Sequence, residues 1–363
     1  MAKIKSFYLV LSAFFLMLTF YSCETEVDLF SDYEDVAVVY ALLDQGDSVQ
    51  YFRINPTFIG EGDARKLAGD TSLTNYNKND LEVRLYDLEL GEDFFYQAEE
   101  TMEKLNSDGI FDENIRMFKL STPVYDSSNG WVVNKIIQPN RTYRLEIKNN
   151  VSKKTYTSEI EVGDINELIM SLPSSNPRRP SSWLKFHTGT QYNPYTFKFL
   201  PINGADRYRL SMIFYHFLGN DSLNLDSSIF NLGEVIKEPN ASSISFDFDG
   251  EEFYSILNNK LDLATNRTGE YVDIVISALG TDLNNYIEVS NVSSTGLSQE
   301  RPEYSNIENG LGVFSFESTK IFRRYYLNDH SVKELDTGPY TVDRFVCGRH
   351  GTQSNSQGVV VCH

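Results

Sequence analysis

Hydrophobic and polar positions alternate along much of this chain with the period of two that belongs to half-buried strands. In LEVRLYD at 81–87, Leu81, Val83 and Leu85 fall on one face and Glu82, Arg84 and Tyr86 on the other. VQYFRIN at 49–55 alternates too, and VAVVYALL at 36–43 is the continuous β-branched run of a buried strand. Asp44-Gln45-Gly46-Asp47 between them is a turn signal, so the pair predicts a hairpin. Further strands are predicted at 130–137, 141–147 and 155–162, broken by Pro139-Asn140 and Asn149-Asn150. Seven or more short strands within 30–163 predict an immunoglobulin-like β-sandwich over 33–163.

Residues 164–182, rich in proline and serine behind the apolar patch Leu168-Ile169-Met170, predict a linker. A second β-rich domain is predicted over 183–327, with strands at 195–200, 207–217, 243–249, 271–279 and 286–292. At 207–217, Tyr208, Leu210, Met212, Phe214 and His216 alternate with Arg207, Arg209, Ser211, Ile213, Tyr215 and Phe217, an apolar face against a mixed one. One helix is predicted at 251–264, where Phe253, Ile256, Leu257 and Leu261 share a face. Residues 328–363 read as a C-terminal tail. The expected fold class is all-β, an immunoglobulin-like sandwich followed by a second β-rich domain with one short helix. The polar, aperiodic stretch 59–80 is too long for an ordinary hairpin loop and predicts a mobile segment or a binding loop; Asp63 to Leu67 could form one helical turn.

The N-terminus changes the picture. Lys3 and Lys5 precede an uncharged apolar run at 6–22, which stops at Ser22-Cys23. The run is short for a membrane span and suits a secretory signal. A small residue before a lone cysteine at its end resembles a bacterial lipobox, which implies cleavage after residue 22 and lipidation of Cys23. An uncleaved anchor and ordinary signal cleavage are the other readings. Glu24, Glu26 and Asp28 lie in an acidic tether over 23–32 that resembles the export signal of Bacteroidota surface lipoproteins; the plain reading is a solvated spacer.

Composition narrows the classes. Among 363 residues, 24 Phe and 22 Tyr argue for packed cores against disorder. The net charge of −19 argues against nucleic-acid binding, which needs a basic face. Three cysteines exclude a disulfide-stapled scaffold and a multi-cysteine zinc module.

Catalytic motifs are sparse. Gly60-Glu61-Gly62-Asp63 lacks the third glycine and the Lys-Ser/Thr pair of a phosphate loop, and neither G-x-S-x-G nor H-E-x-x-H occurs. His216 lies in an apolar strand and reads as a packed core residue. Asp247-Phe248-Asp249-Gly250-Glu251-Glu252 offers oxygen ligands but lacks the terminal ligand of a calcium loop; it reads as a strand-to-helix turn with Asp249 near the N-cap. Cys347 and Cys362 could close a disulfide, could join His350 and His363 on zinc, or could remain free thiols. No catalytic residue, metal set or cofactor is assigned, so the chain is not expected to be an enzyme.

Residues 303–314 read EYSNIENGLGVF. Asn306, Ile307, Asn309, Gly310, Gly312 and Phe314 resemble the N-I-x-N-G-x-G-x-F box of a Bacteroidota outer-membrane lipoprotein family of unknown function. The VVYALLDQGDSVQYFRINPTF opening and the GEGDA-type insertion resemble it too. From their chemistry alone, the box residues read as structural: glycines for close approach, asparagines for turns. The resemblance implies a lipid-anchored outer-membrane protein facing the cell exterior, often encoded beside TonB-dependent transporters. The expected function is a non-catalytic binding protein accessory to such a transporter in nutrient uptake. The rivals are a stand-alone adhesin with a glycan or peptide ligand, and a hydrolase without a recognisable motif.

Overall fold

A computed structural model describes residues 36–57, 71–104, 114–121, 136–218, 224–263, 267–294 and 303–349. The chain is mostly β. The first eight strands are β1 (Ala37–Leu43), β2 (Val49–Pro56), β3 (Leu81–Asp87), β4 (Phe95–Gln97), β5 (Glu99–Lys104), β6 (Asn114–Ser121), β7 (Arg141–Asn149) and β8 (Thr155–Val162). A one-turn helix α1 (Thr71–Thr74) precedes β3.

These strands form two facing sheets, β1-β2-β6-β5 and β4-β3-β7-β8. In order of sequence, that is the A-B-E-D and C′-C-F-G arrangement of an immunoglobulin-type sandwich. Alternation drives it: Val39, Ala41, Phe52 and Ile54 from one sheet are buried with Val83, Leu85, Leu145 and Ile147 from the other. Tyr143, near the start of β7, fixes the corner before it. Its hydroxyl accepts from Gln138 N at 2.7 Å and donates to Ile136 O at 3.1 Å, the tyrosine-corner geometry of this fold. Residues 136–137, expected at the end of a strand, instead form this buried corner; 130–135 lie outside the described residues.

The second sandwich contains β9 (Met170–Leu172), β10 (Tyr195–Phe199), β11 (Ala205–Leu218), β12 (Leu225–Ile236), β13 (Ile244–Phe248), β14 (Arg267–Gly280) and β15 (Leu311–Tyr325). Its sheets, β9-β10-β13 and β12-β11-β14-β15, repeat the same ordering with the D strand missing. Helix α2 (Gly250–Lys260) bridges β13 and β14, and its Phe253 ring stacks on Phe230 of β12 at 5.2 Å. A last strand, β16 (Phe345–Arg349), pairs in parallel with the start of β14.

Strand β15 belongs to both halves. Its first part pairs in parallel with β1, Val38 to Leu43 against Leu311 to Phe316. Its second part pairs antiparallel with β14, Glu317 to Tyr325 against Leu279 to Val272. The first sandwich is therefore completed by chain that arrives almost 150 residues after β8. The junction is tight: a Cβ on Gly163 would collide with the Asn203 carbonyl, and Lys320 Nζ donates to Asn166 O and Leu168 O at 2.8 and 2.7 Å.

Several expectations need correction. The stretch 164–182 is not a free linker, because Leu168 and Met170 are buried and β9 pairs with β10. The second domain holds more than one helix. Residues 286–292 are helical, inside α3 (Thr281–Ser294), which puts Leu283 against the sheet with Ile287 one turn on. Residues 328–349 are not a tail: helix α4 (Asp329–Thr337) starts at Asn328, whose side chain accepts from Ser331 N, and it buries Leu335.

Candidate functional site

The outer face of sheet β4-β3-β7-β8 ends at β4, a three-residue edge strand in register with β3. Phe95 and Gln97 both point outward there, opposite Tyr86 and Arg84. The Phe95 ring is 38% exposed, lies 5.5 Å from Tyr86, and has the Arg84 guanidinium 4.4 Å from its centre. Such packing holds an exposed ring in one orientation, so little side-chain entropy is left to lose on binding. Phe94, just before the strand, is 43% exposed and edge-on to Tyr96 at 5.1 Å.

Two residues along β4 from Phe95, at Gln97, the surface opens into a cleft of about 300 Å³ that Phe95 itself does not line. Leu81, Ala98 and Phe118 form its apolar floor, and Asn79, Asn150, Gln97, Glu82 and Glu100 line it with polar groups. The amide nitrogens of Gln97 and Asn150 are engaged by Val83 O and Asn79 O, at 3.1 Å each. Their carbonyl oxygens are left as acceptors. Glu82 pairs with Arg84 and Glu100 with Arg116, while Asn79 N donates to Glu100 Oε2 at 3.2 Å. Salt-bridged carboxylates are acceptors, so the cleft offers acceptors to a ligand rich in hydroxyl or amino donors.

The neighbouring charges lock the face. Burial opposes ionisation of Glu146, but hydrogen bonds from Lys148 and Tyr86 outweigh it and hold the carboxyl below its usual range. Arg144 lies 4.8 Å from the Tyr86 ring centre and 3.5 Å from Glu92. Asn79 adopts φ 67°, a left-handed conformation that asparagine tolerates, and this turns the backbone into the cleft rim. Asn79 belongs to the polar stretch 59–80, read from sequence as a mobile segment or a binding loop. Residues 58–70, including Asp63 to Leu67 and the Gly60–Gly62 pair, lie outside the described residues.

The other singled-out residues lie elsewhere. Asn306 Nδ2 donates to Phe314 O at 2.7 Å while its Oδ1 accepts from Phe314 N at 2.9 Å, closing a ring across the box. Asn309 reaches Thr155 O on β8 at 3.2 Å, and Ile307 and Phe314 are buried. Gly312 has φ 103°, and a Cβ there would collide with the Val39 carbonyl. The box is thus the segment that fastens β15 to β1 and β8. His216 is fully buried in the second core, its pKa pushed down to about 4 by burial. Asp249 caps α2 by accepting from Glu251 N at 3.0 Å. The Cys347 side chain, Cys362, His350, His363 and the whole of 1–35 with Cys23 lie outside the described residues.

Among the described residues no group of three or more His, Cys, Asp or Glu side chains is placed to hold a metal, and no helix is long and apolar enough to cross a membrane. The ring-and-cleft edge had no motif to mark it; only the clustered Phe94-Phe95-Tyr96 beside charged residues signalled it in sequence. No protein-family model matches the chain, and no curated protein matches it.

Proposed function

We propose that this protein is a non-catalytic binding protein, lipid-anchored through Cys23 at the outer membrane and facing outward, that captures a saccharide-like ligand at the β4 edge. The observation that carries this reading is the Phe95 ring on the same strand face as Gln97, which lines a cleft rich in acceptors two residues further on. Sugar faces stack on aromatic rings while their hydroxyls need hydrogen-bond partners, and the edge supplies both kinds of contact within two residues of one strand.

The sequence features add the cellular setting: the lipobox-like Cys23, the acidic tether and the resemblance to Bacteroidota outer-membrane lipoproteins. In that setting the protein serves as accessory to a TonB-dependent transporter, handing on what it binds. A lipid anchor keeps both proteins on one surface, so a modest affinity suffices for them to meet. The second reading, a stand-alone adhesin for glycans or peptides, uses the same cleft without the transporter.

A mild-detergent pull-down of the tagged full chain separates them. Recovery of a TonB-dependent barrel in near-equal amount, together with an acylated Cys23 at the mature N-terminus by mass spectrometry, is the expected result. Recovery of the lipoprotein alone, under conditions that preserve a known transporter–lipoprotein pair, favours the adhesin. An intact Met1 removes the anchor from the account.

A further inference from the structure

The first sandwich carries a second exposed aromatic surface, on the outer face of sheet β1-β2-β6-β5. Strand register assembles it. Tyr40 of β1 lies opposite Arg53 of β2, and Tyr51, two residues along β2 on the same face, lies opposite Lys119 of β6. Leu42 follows Tyr40 on that face. The alternate residues Val39, Ala41 and Phe52 fill the core, which leaves Tyr40, Leu42 and Tyr51 to solvent, 41%, 37% and 39% exposed. Tyr286 of α3 stands edge-on to Tyr40, with ring centres 6.0 Å and hydroxyls 3.4 Å apart. That contact bounds one side of the surface and holds the Tyr40 ring in place.

The cations on this face are left open. Elsewhere Arg84, Arg116, Arg141 and Arg207 each bind a carboxylate. Arg53 is exposed, its Nε donates to Asn55 Oδ1 at 2.9 Å, and among the described residues it forms no salt bridge. Its two terminal nitrogens are free to grip a carboxylate side by side. Lys119 lies across from Glu99 in the β5–β6 register but forms no ion pair with it; its ammonium sits 5.9 Å from the Tyr51 ring centre. Two cations therefore flank Tyr51, Arg53 along the strand and Lys119 across from it. The carboxylates stand at the margins, Glu99 beyond Lys119 and Glu303 near Tyr40. Burial and the Tyr286 hydroxyl push the Tyr40 pKa up to about 12, so its hydroxyl stays protonated.

We propose that this face is a second binding site, for a saccharide that carries a carboxylate. Sugar faces stack on Tyr40 and Tyr51, and the carboxylate lies between Arg53 and Lys119. Arg53 and Lys119 rise from positions about 8 Å apart, one strand spacing across and one side-chain repeat along, a gap that two long side chains close around one anion. Tyr40 and Tyr51 are set on the same diagonal, so the two rings present one continuous stacking surface. The chain as a whole has a net charge of −19, which repels polyanions. The fit is therefore to a single carboxylate among neutral sugar units, held where the local charge is positive.

The purified full chain in mild detergent tests this on immobilised uronate- and sialate-capped oligosaccharides, each paired with its carboxyl-reduced counterpart. A set of the acidic members should bind, with a signal at least tenfold above that of the reduced counterparts. That signal should fall at least tenfold in Arg53→Gln and in Tyr51→Ala, whose exposed positions leave the thermal midpoint unchanged. Phe95→Ala, which reports the β4 edge, should leave it as it was. No binding of any acidic member, equal binding of the reduced counterparts, a signal indifferent to both substitutions, or a signal that Phe95→Ala removes would each overturn the proposal. Capture at the β4 edge rests on Phe95 and Gln97, so the two sites stand or fall separately.

Discussion

His216 shows how one buried side chain ties this fold to pH. It sits at zero exposure between Phe214 and Phe345, with Nε2 3.4 Å from Ser228 Oγ. Burial pushes its pKa down to about 4 from an ordinary 6.5. Between those values the unfolded chain binds a proton that the folded chain does not, so stability rises with pH across that window and is lost as pH falls through it. The shift corresponds to about 3 kcal/mol at most. Urea midpoints at pH 7 and pH 4.5 should therefore differ more for the wild type than for His216→Leu. Equal pH dependence in the two would contradict this account of the core. Sequence alone placed His216 in an apolar strand and so in the core, since alternation with Phe214 and Met212 left no other face for it.

At the scale of elements, β15 is the piece that joins the two halves, and Gly312 is its closest approach. With φ 103° and the Val39 carbonyl in the space of a side chain, Gly312→Ala should cost at least about 3 kcal/mol through strain and displacement. A thermal melt with an unchanged midpoint would remove the box from its fastening role. Alternation made β3 legible to the residue, because one of its faces is apolar and the other charged. It failed for β12, whose exposed Leu225 and Ile229 break the contrast between inside and outside. It failed for Tyr286 to Val292 because a short apolar run fits a helix as well as a strand; the close packing of Gly280 on Ser315 and Phe316, which sets where α3 begins, is a contact between distant segments. The parallel pairing of β1 with β15 was illegible for the same reason. The β4 edge was only half legible: Phe94-Phe95-Tyr96 is visible in the sequence, whereas the cleft needs Asn79, Phe118 and Asn150 brought together from three separate segments.

For the whole molecule, the shared strand and the glycine-tight junction make two sandwiches behave as one. Unfolding monitored by Trp and Tyr fluorescence, and separately by far-ultraviolet circular dichroism, should trace one coincident transition. Two separated transitions would show that the halves are independent. The central claim, saccharide capture at the β4 edge, is tested most directly by probing a broad saccharide array with the purified full chain in mild detergent and with its Phe95→Ala and Asn150→Leu variants. The account predicts binding to a defined saccharide set, recovered uncleaved, with at least a tenfold loss of signal in each variant. Binding unaffected by both substitutions, cleavage of the bound saccharide, or an array blank for the wild type would contradict it.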